Sequence, residues 1–179
     1  MAKKKVAAKK KNKSALSISK LKQMPRLKPL LVGVVTSRFN SEITEKLEEG
    51  ALNFLQGEVD QGLDIEVLSV RVPGAVEIPL VCQSLFELGC QGVVALGAVI
   101  RGETTHYDYV CQSVESGITR LMLDYKRPIG FGVLTTENEE QALARAGGQQ
   151  GNKGAEAAQV VIEMIHLQKE LRRPVQGKE

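Results

Sequence analysis

Gly92-Val93-Val94-Ala95-Leu96-Gly97-Ala98-Val99-Ile100 contains no polar side chain, and it runs directly into Arg101-Gly102-Glu103-Thr104-Thr105-His106-Tyr107-Asp108-Tyr109-Val110. An unbroken apolar run of this length, ended by turn residues, reads as a strand covered on both faces, which is the central position of a parallel sheet. The polar turn after it, Arg101–His106, carries an arginine, a carboxylate, two hydroxyls and a histidine, and a helical pattern that includes Val110 follows. Open α/β sheets bind ligands at such strand-to-helix turns, where backbone donors and the helix dipole face an anion.

Working outward, the chain alternates short apolar runs with longer amphipathic stretches. Leu30 to Val35 reads as a buried strand. Ser41 is placed to cap a helix whose face is Ile43, Leu47, Ala51 and Leu55, with Glu42 and Glu45 favourable in the first turn. Leu63 to Val70 alternates as a second strand, and Pro73-Gly74 breaks the chain before a helix with Val81, Leu85 and Leu88 on one side. Val110, Val114, Ile118 and Leu121 mark the helix after the central strand, which Pro128 stops. Ile129 to Leu134 supplies a fourth strand. Two helical stretches follow, near Asn138–Ala146 and Asn152–Leu171, separated by Gly147-Gly148 and Gly151. This order predicts an α/β fold: a three-layer αβα sandwich around a four-stranded parallel sheet with right-handed crossovers.

Composition bounds the function. The 179 residues are 42% hydrophobic and 25% charged, with no tryptophan, so aliphatic side chains must fill one core. No apolar run approaches the roughly 20 residues that span a bilayer, which predicts a soluble protein with no membrane-spanning segment. Residues 1–29 hold 11 Lys and Arg and no acid, whereas residues 30–179 hold the other 13 basic residues against all 21 acidic ones, a balance of −8. The chain therefore divides into a basic N-terminal extension, 1–29, expected to be disordered on its own, and a globular domain, 30–179. The extension reads either as an electrostatic grip on nucleic acid, anionic membrane or a neighbouring body, or as a solvated tail. It lacks the apolar segment of a secretory signal. Cys82, Cys90 and Cys111 form no CxxC pair and suit reduced core cysteines in a cytoplasmic protein. With two isolated histidines, no metal site is expected.

Four turns lie where strands end and helices start: Ser37–Asn40, Arg71–Glu77, Arg101–His106 and Thr135–Asn138. The first has no glycine, which speaks against a flavin carrier with a flavodoxin-type phosphate loop. Phe39 within it either folds back into the core, the ordinary fate of a lone aromatic, or offers a face to a planar ligand. Thr104 and Thr105 either cap a helix or help hold a phosphate. His106, near the positive end of a helix that favours the neutral imidazole, can take or give a proton. Glu77 complements a helix dipole or accepts from ligand hydroxyls. Arg145 and Lys153 flank the glycine-rich break, as solvated charges or as phosphate contacts, and His166 reads as an ordinary helix residue.

Taken together, Ser37-Arg38-Phe39-Asn40, Val72 to Pro79, Gly97 to Val110, Phe131 to Asn138 and Arg145 to Gly154 resemble lumazine synthase across nearly all of residues 30–171. The resemblance implies a flavodoxin-like fold. It implies condensation of 5-amino-6-(ribitylamino)uracil with 3,4-dihydroxy-2-butanone 4-phosphate to 6,7-dimethyl-8-ribityllumazine, phosphate and water, with neither metal nor organic cofactor. By motif position, Phe39 stacks on the pyrimidine beside Asn40, and Ala75, Val76 and Glu77 hold the ribityl chain. Ala98, Val99 and Ile100 bind the uracil edge, while Glu103 and Thr104 form the turn around the butanone phosphate. Arg145 pairs with that phosphate, His106 shuttles the proton, and Phe131 and Lys153 close the pocket from an adjacent subunit. Val76 departs from the aromatic residue common in the family, which loosens one wall.

The resemblance also implies a homopentamer. The absence of extra residues in Ala146–Gly154 favours the sixty-subunit icosahedral shell over smaller assemblies, and riboflavin synthase is the family's associated protein. Two readings of other classes compete: a scaffold that kept the fold and lost the chemistry, and a nucleic-acid-binding module driven by the extension.

Overall fold

The computed structural model describes residues 28–173. Apart from Lys28 and Pro29, the expected extension over 1–29 lies outside the described residues. The elements in chain order are β1 (Leu30–Ser37), α1 (Ser41–Asp60), β2 (Ile65–Val72), a 3-10 turn (Ala75–Glu77), α2 (Ile78–Glu87), β3 (Gly92–Ile100), α3 (His106–Tyr125), β4 (Ile129–Thr136), α4 (Glu139–Arg145), β5 (Ala146–Gly148), β6 (Gly151–Asn152) and α5 (Lys153–Leu171).

The sheet has four parallel strands in the order β2-β1-β3-β4. Side chains alternate across it, so each inner strand feeds two cores. On one face Val32, Val34, Val94 and Leu96 pack against Leu47, Ala51 and Leu55 of α1 and Ala158, Val161 and Ile165 of α5. On the other, Val35, Val93, Ala95 and Val133 meet Ile78, Cys82 and Leu85 of α2 and Val114 and Ile118 of α3. This is the expected three-layer sandwich. All four strands run the same way, so their exits, Ser37, Val72, Ile100 and Thr136, gather at one edge.

Local differences have physical causes. The residue before α1 is Asn40, in the left-handed region (φ 58°), so Ser41 begins the helix instead of capping it. Asparagine tolerates that region, and its amide donates across to the Ala98 carbonyl at 2.9 Å. α2 starts at Ile78, which turns Ile78, Cys82, Leu85 and Phe86 inward; Val81 is half-buried, and Leu88 falls beyond the helix and stays exposed. β2 is an edge strand whose side chains are largely exposed, with no buried alternating face. It is held to α1 by Arg71, which donates to Glu48 through Nε (3.0 Å) and Nη2 (2.6 Å) and to Glu45 through Nη1 (2.9 Å). Ser69 Oγ donates to the same Glu48 at 2.9 Å, so this buried carboxylate is satisfied on both oxygens. The glycine-rich break is a short antiparallel hairpin, β5–β6, in which Gly147 (φ 104°) and Gly151 (φ 73°) take a conformation that strains other residues.

All three cysteines are free; Cys82 and Cys90 are buried and Cys111 is half-buried, not a core residue. Burial pushes the Cys82 thiol up to about 12 and raises that of Cys90 as well. The thiolate is the reactive form. At pH 8 a disulfide reagent should therefore leave Cys82 and Cys90 unmodified in the native protein and titrate all three thiols once denaturant unfolds it. Labelling of Cys82 under native conditions would contradict the packing of α2.

Among the described residues no helix is long and apolar enough to cross a membrane, and no cluster of His, Cys, Asp or Glu is arranged to hold a metal ion.

Candidate active site

The strand exits build one cleft. After β1, the Arg38 N–H donates to the Val72 carbonyl (2.8 Å) and the Phe39 N–H to the Pro73 carbonyl (3.2 Å), which fixes this turn against the exit of β2. The Phe39 ring is thereby left 69% exposed. Packing in the core, the reading that composition favours, does not occur. Asn40 does not line the cleft but braces the turn onto β3 through the Ala98 carbonyl.

After β2, Gly74 leads into the 3-10 turn, and its N–H donates to Glu77 Oε2 at 2.9 Å. The carboxylate is thus held in place beside the cleft it lines. A Cβ on Gly74 would lie 3.1 Å from that oxygen, so a larger residue would require the carboxylate to shift by a few tenths of an ångström. Ala75 is buried, while Val76 stands 46% exposed.

β3 delivers Ala98, Val99 and Ile100, and α3 opens at His106, whose side chain is exposed. Thr105 stands at the cap position but makes no side-chain capping bond. Thr104 Oγ1 accepts from the His106 N–H at 3.4 Å, a long contact that leaves the hydroxyl free to turn to a ligand. Glu103 is exposed and lies outside the lining.

Phe39, Ala75, Val76, Glu77, Ala98, Val99, Ile100, Thr104 and His106 share this cleft of about 370 Å³. A mostly apolar concavity of that size with a few convergent polar groups is the ordinary form of a small-molecule site. Gly74, Gly102, Tyr107 and Val110 line it too. Sequence patterning gave Gly74 only a chain break and Val110 only a core face. Tyr107 had one available signal, its place directly after His106.

Phe131, Arg145 and Lys153 lie elsewhere. They line a second, open concavity of about 520 Å³ along β4 and the start of α5, with Thr135, Ala157 and Val160. Phe131 is 44% exposed there. Arg145 donates from Nη1 to the Gln141 carbonyl (2.9 Å), and Lys153 Nζ pairs with Glu156 (2.7 Å). A single copy does not bring the two groups together. The first cleft offers an aromatic face, a carboxylate, hydroxyls and an imidazole; the second offers cations and another aromatic face.

The sequence model of the family described as 6,7-dimethyl-8-ribityllumazine synthase matches residues 29–169. A protein of that name from Bdellovibrio bacteriovorus is 69% identical over 140 residues, which cover 78% of this chain and 76% of the relative. One from Desulfovibrio desulfuricans is 51% identical over 146 residues, covering 80% and 92%. One from Coxiella burnetii is 51% identical over 141 residues, covering 78% and 92%. With an α/β sandwich that presents an imidazole, a carboxylate and an open aromatic ring at its strand exits, and with a family match over nearly all of that sandwich, this chain belongs to the 6,7-dimethyl-8-ribityllumazine synthase family.

Proposed function

We propose that the cleft at the exits of β1, β2 and β3 is where this chain condenses 5-amino-6-(ribitylamino)uracil with 3,4-dihydroxy-2-butanone 4-phosphate to 6,7-dimethyl-8-ribityllumazine, phosphate and water. The observation that carries it is the meeting of Phe39, Glu77, Thr104 and His106, contributed by three separate crossovers, in one small-molecule cleft.

Phe39 lies against the pyrimidine, while Ala98 to Ile100 present backbone groups to its polar edge. Glu77 accepts from ribityl hydroxyls beside Ala75 and Val76. Thr104 and Glu103 form the turn that receives the butanone phosphate. The amine attacks the ketone, so a proton must leave nitrogen and another must reach the departing oxygen. An imidazole, which ordinarily titrates near neutrality, serves both transfers, and His106 is that group. Loss of phosphate is eased where cations and hydroxyls hold the leaving group. Holding the two reactants together supplies much of the remaining acceleration. His106→Ala should therefore lower kcat by about 10²-fold without abolishing turnover, as followed by lumazine fluorescence and phosphate release. An unchanged kcat would overturn the shuttle role.

The working unit is a ring of copies, read as a homopentamer and in the larger form a sixty-subunit shell. What supports it is the separation of Phe131, Arg145 and Lys153 from the first cleft. Unlike surfaces that complete each other between neighbours form heterologous contacts, which close into rings where the rotation between copies closes. The catalytic domain is residues 30–179, with the basic extension outside it, and the free thiols suit a cytoplasmic setting.

A further inference from the structure

Arg101 belongs to none of the groups assigned to substrate above, yet it links β3, the exit of β4 and the first turn of α3, which begins at His106. Its backbone N–H extends the β3–β4 ladder by donating to the Thr136 carbonyl at 2.9 Å. Its side chain folds back over the turn. Nε lies 2.9 and 3.1 Å from the two carboxylate oxygens of Glu137, just past β4. Nη1 lies 3.2 Å from Asp108 Oδ1, in the first turn of α3, and the guanidinium carbon sits 4.0 Å from the centre of the Tyr107 ring. Glu137 and then Asp108 raise the guanidinium above its ordinary range, so the cation is permanent.

Apart from the Asp108 N–H, which donates to the Thr105 carbonyl at 3.1 Å, the turn that this cation spans has little else to fix it. Gly102 faces open space, and Thr105 makes no capping bond. The Thr104–His106 contact inside the turn is long at 3.4 Å. His106 is flanked on its C-terminal side by Tyr107 and Asp108, the two residues that Arg101 grips. Exposed ion pairs such as these add little to global stability, so the network's effect falls on local geometry. A planar fork that meets two carboxylates while stacking on a ring is something arginine supplies and lysine does not.

We infer that Arg101 is a positioning residue for His106: by clamping Glu137, Asp108 and Tyr107 together it holds the first turn of α3 where the imidazole faces the cleft. This rests on His106 being the proton shuttle.

The test is a double-mutant cycle on the full, assembled chain, with kcat and both KM values measured for wild type, Arg101→Gln, His106→Ala and the double variant. Arg101→Gln should lower kcat about tenfold while both KM values stay within about twofold and the melting temperature holds. In the His106→Ala background the same change should alter kcat by less than about twofold, because its effect passes through the missing imidazole. Arg101→Lys should recover part of the loss. An equal loss in both backgrounds, or an effect confined to KM, overturns the positioning role. If His106→Ala itself turns over like wild type, the shuttle reading falls as well, which separates the two failures. Should Arg101→Gln not fold, Glu137→Gln and Asp108→Asn each remove one arm of the clamp, and each must show the same dependence on His106.

Discussion

Replacing Arg145 with alanine should raise KM for the butanone phosphate by about 10²-fold while leaving KM for the ribitylaminouracil near its starting value. A hydrogen bond from a cation to an anion contributes roughly 1.5–3 kcal/mol, enough for a change of that size. The more decisive form uses two damaged chains. Arg145 and His106 occupy different concavities of one copy, and in the proposed ring a complete site draws them from neighbours. When Arg145→Ala and His106→Ala chains are co-expressed in equal amounts, about a quarter of the junctions join an intact His106 to an intact Arg145. Those junctions should turn over normally, so the mixed assembly should recover about a quarter of wild-type activity at low butanone phosphate. Recovery no greater than the mean of the two parents would overturn the sharing of one site between neighbouring copies.

The second large effect is on stability, at Gly154. This residue lies at the start of α5, where Asn152 Oδ1 accepts from the N–H groups of Gly154 (2.9 Å) and Ala155 (3.1 Å). The Asn152 amide also donates to the Lys46 carbonyl of α1 at 2.8 Å. The two helices therefore approach backbone to backbone, and a Cβ on Gly154 would collide with the Leu47 carbonyl. Backbone cannot step aside as a flexible side chain can. Gly154→Ala should cost about 3 kcal/mol in denaturant unfolding, and Gly154→Val more. Gly57, inside α1 with nothing within 4 Å of its added Cβ, is the internal control. There alanine should stabilise by about 0.5–1 kcal/mol, through helix propensity alone. A neutral Gly154→Ala would mean that α1 and α5 are further apart than described.

The architecture was legible because its signals are periodic. The apolar run of β3 and the four-residue spacing of α1 both follow from which faces are buried, and they predicted the strand and the helix. Asn138 and Asn152 marked helix starts because their side chains do accept the first amides. The misses came where one residue's surroundings decide. Leu88 has a core residue's chemistry but falls one position beyond its helix, and β2 lost its buried face because it is an edge. Phe39 reversed the default for a lone aromatic, since backbone bonds to β2's exit hold its turn open. His106 and its neighbours were readable as a strand-to-helix turn. Phe131 on β4, Arg145 at the end of α4 and Lys153 at the start of α5 line a concavity apart from that turn; the resemblance implied a separate origin for Phe131 and Lys153, while spacing along the chain did not report where Arg145 falls.

That division also has a consequence for supply. If the site is shared between copies as proposed, a lone chain is silent until it meets its own kind, and output per molecule is set by abundance. At low copy number the yield should rise faster than in proportion to gene dosage, approaching proportionality only once nearly every chain has found a neighbour. A modest drop in expression would then cost more product than the drop itself.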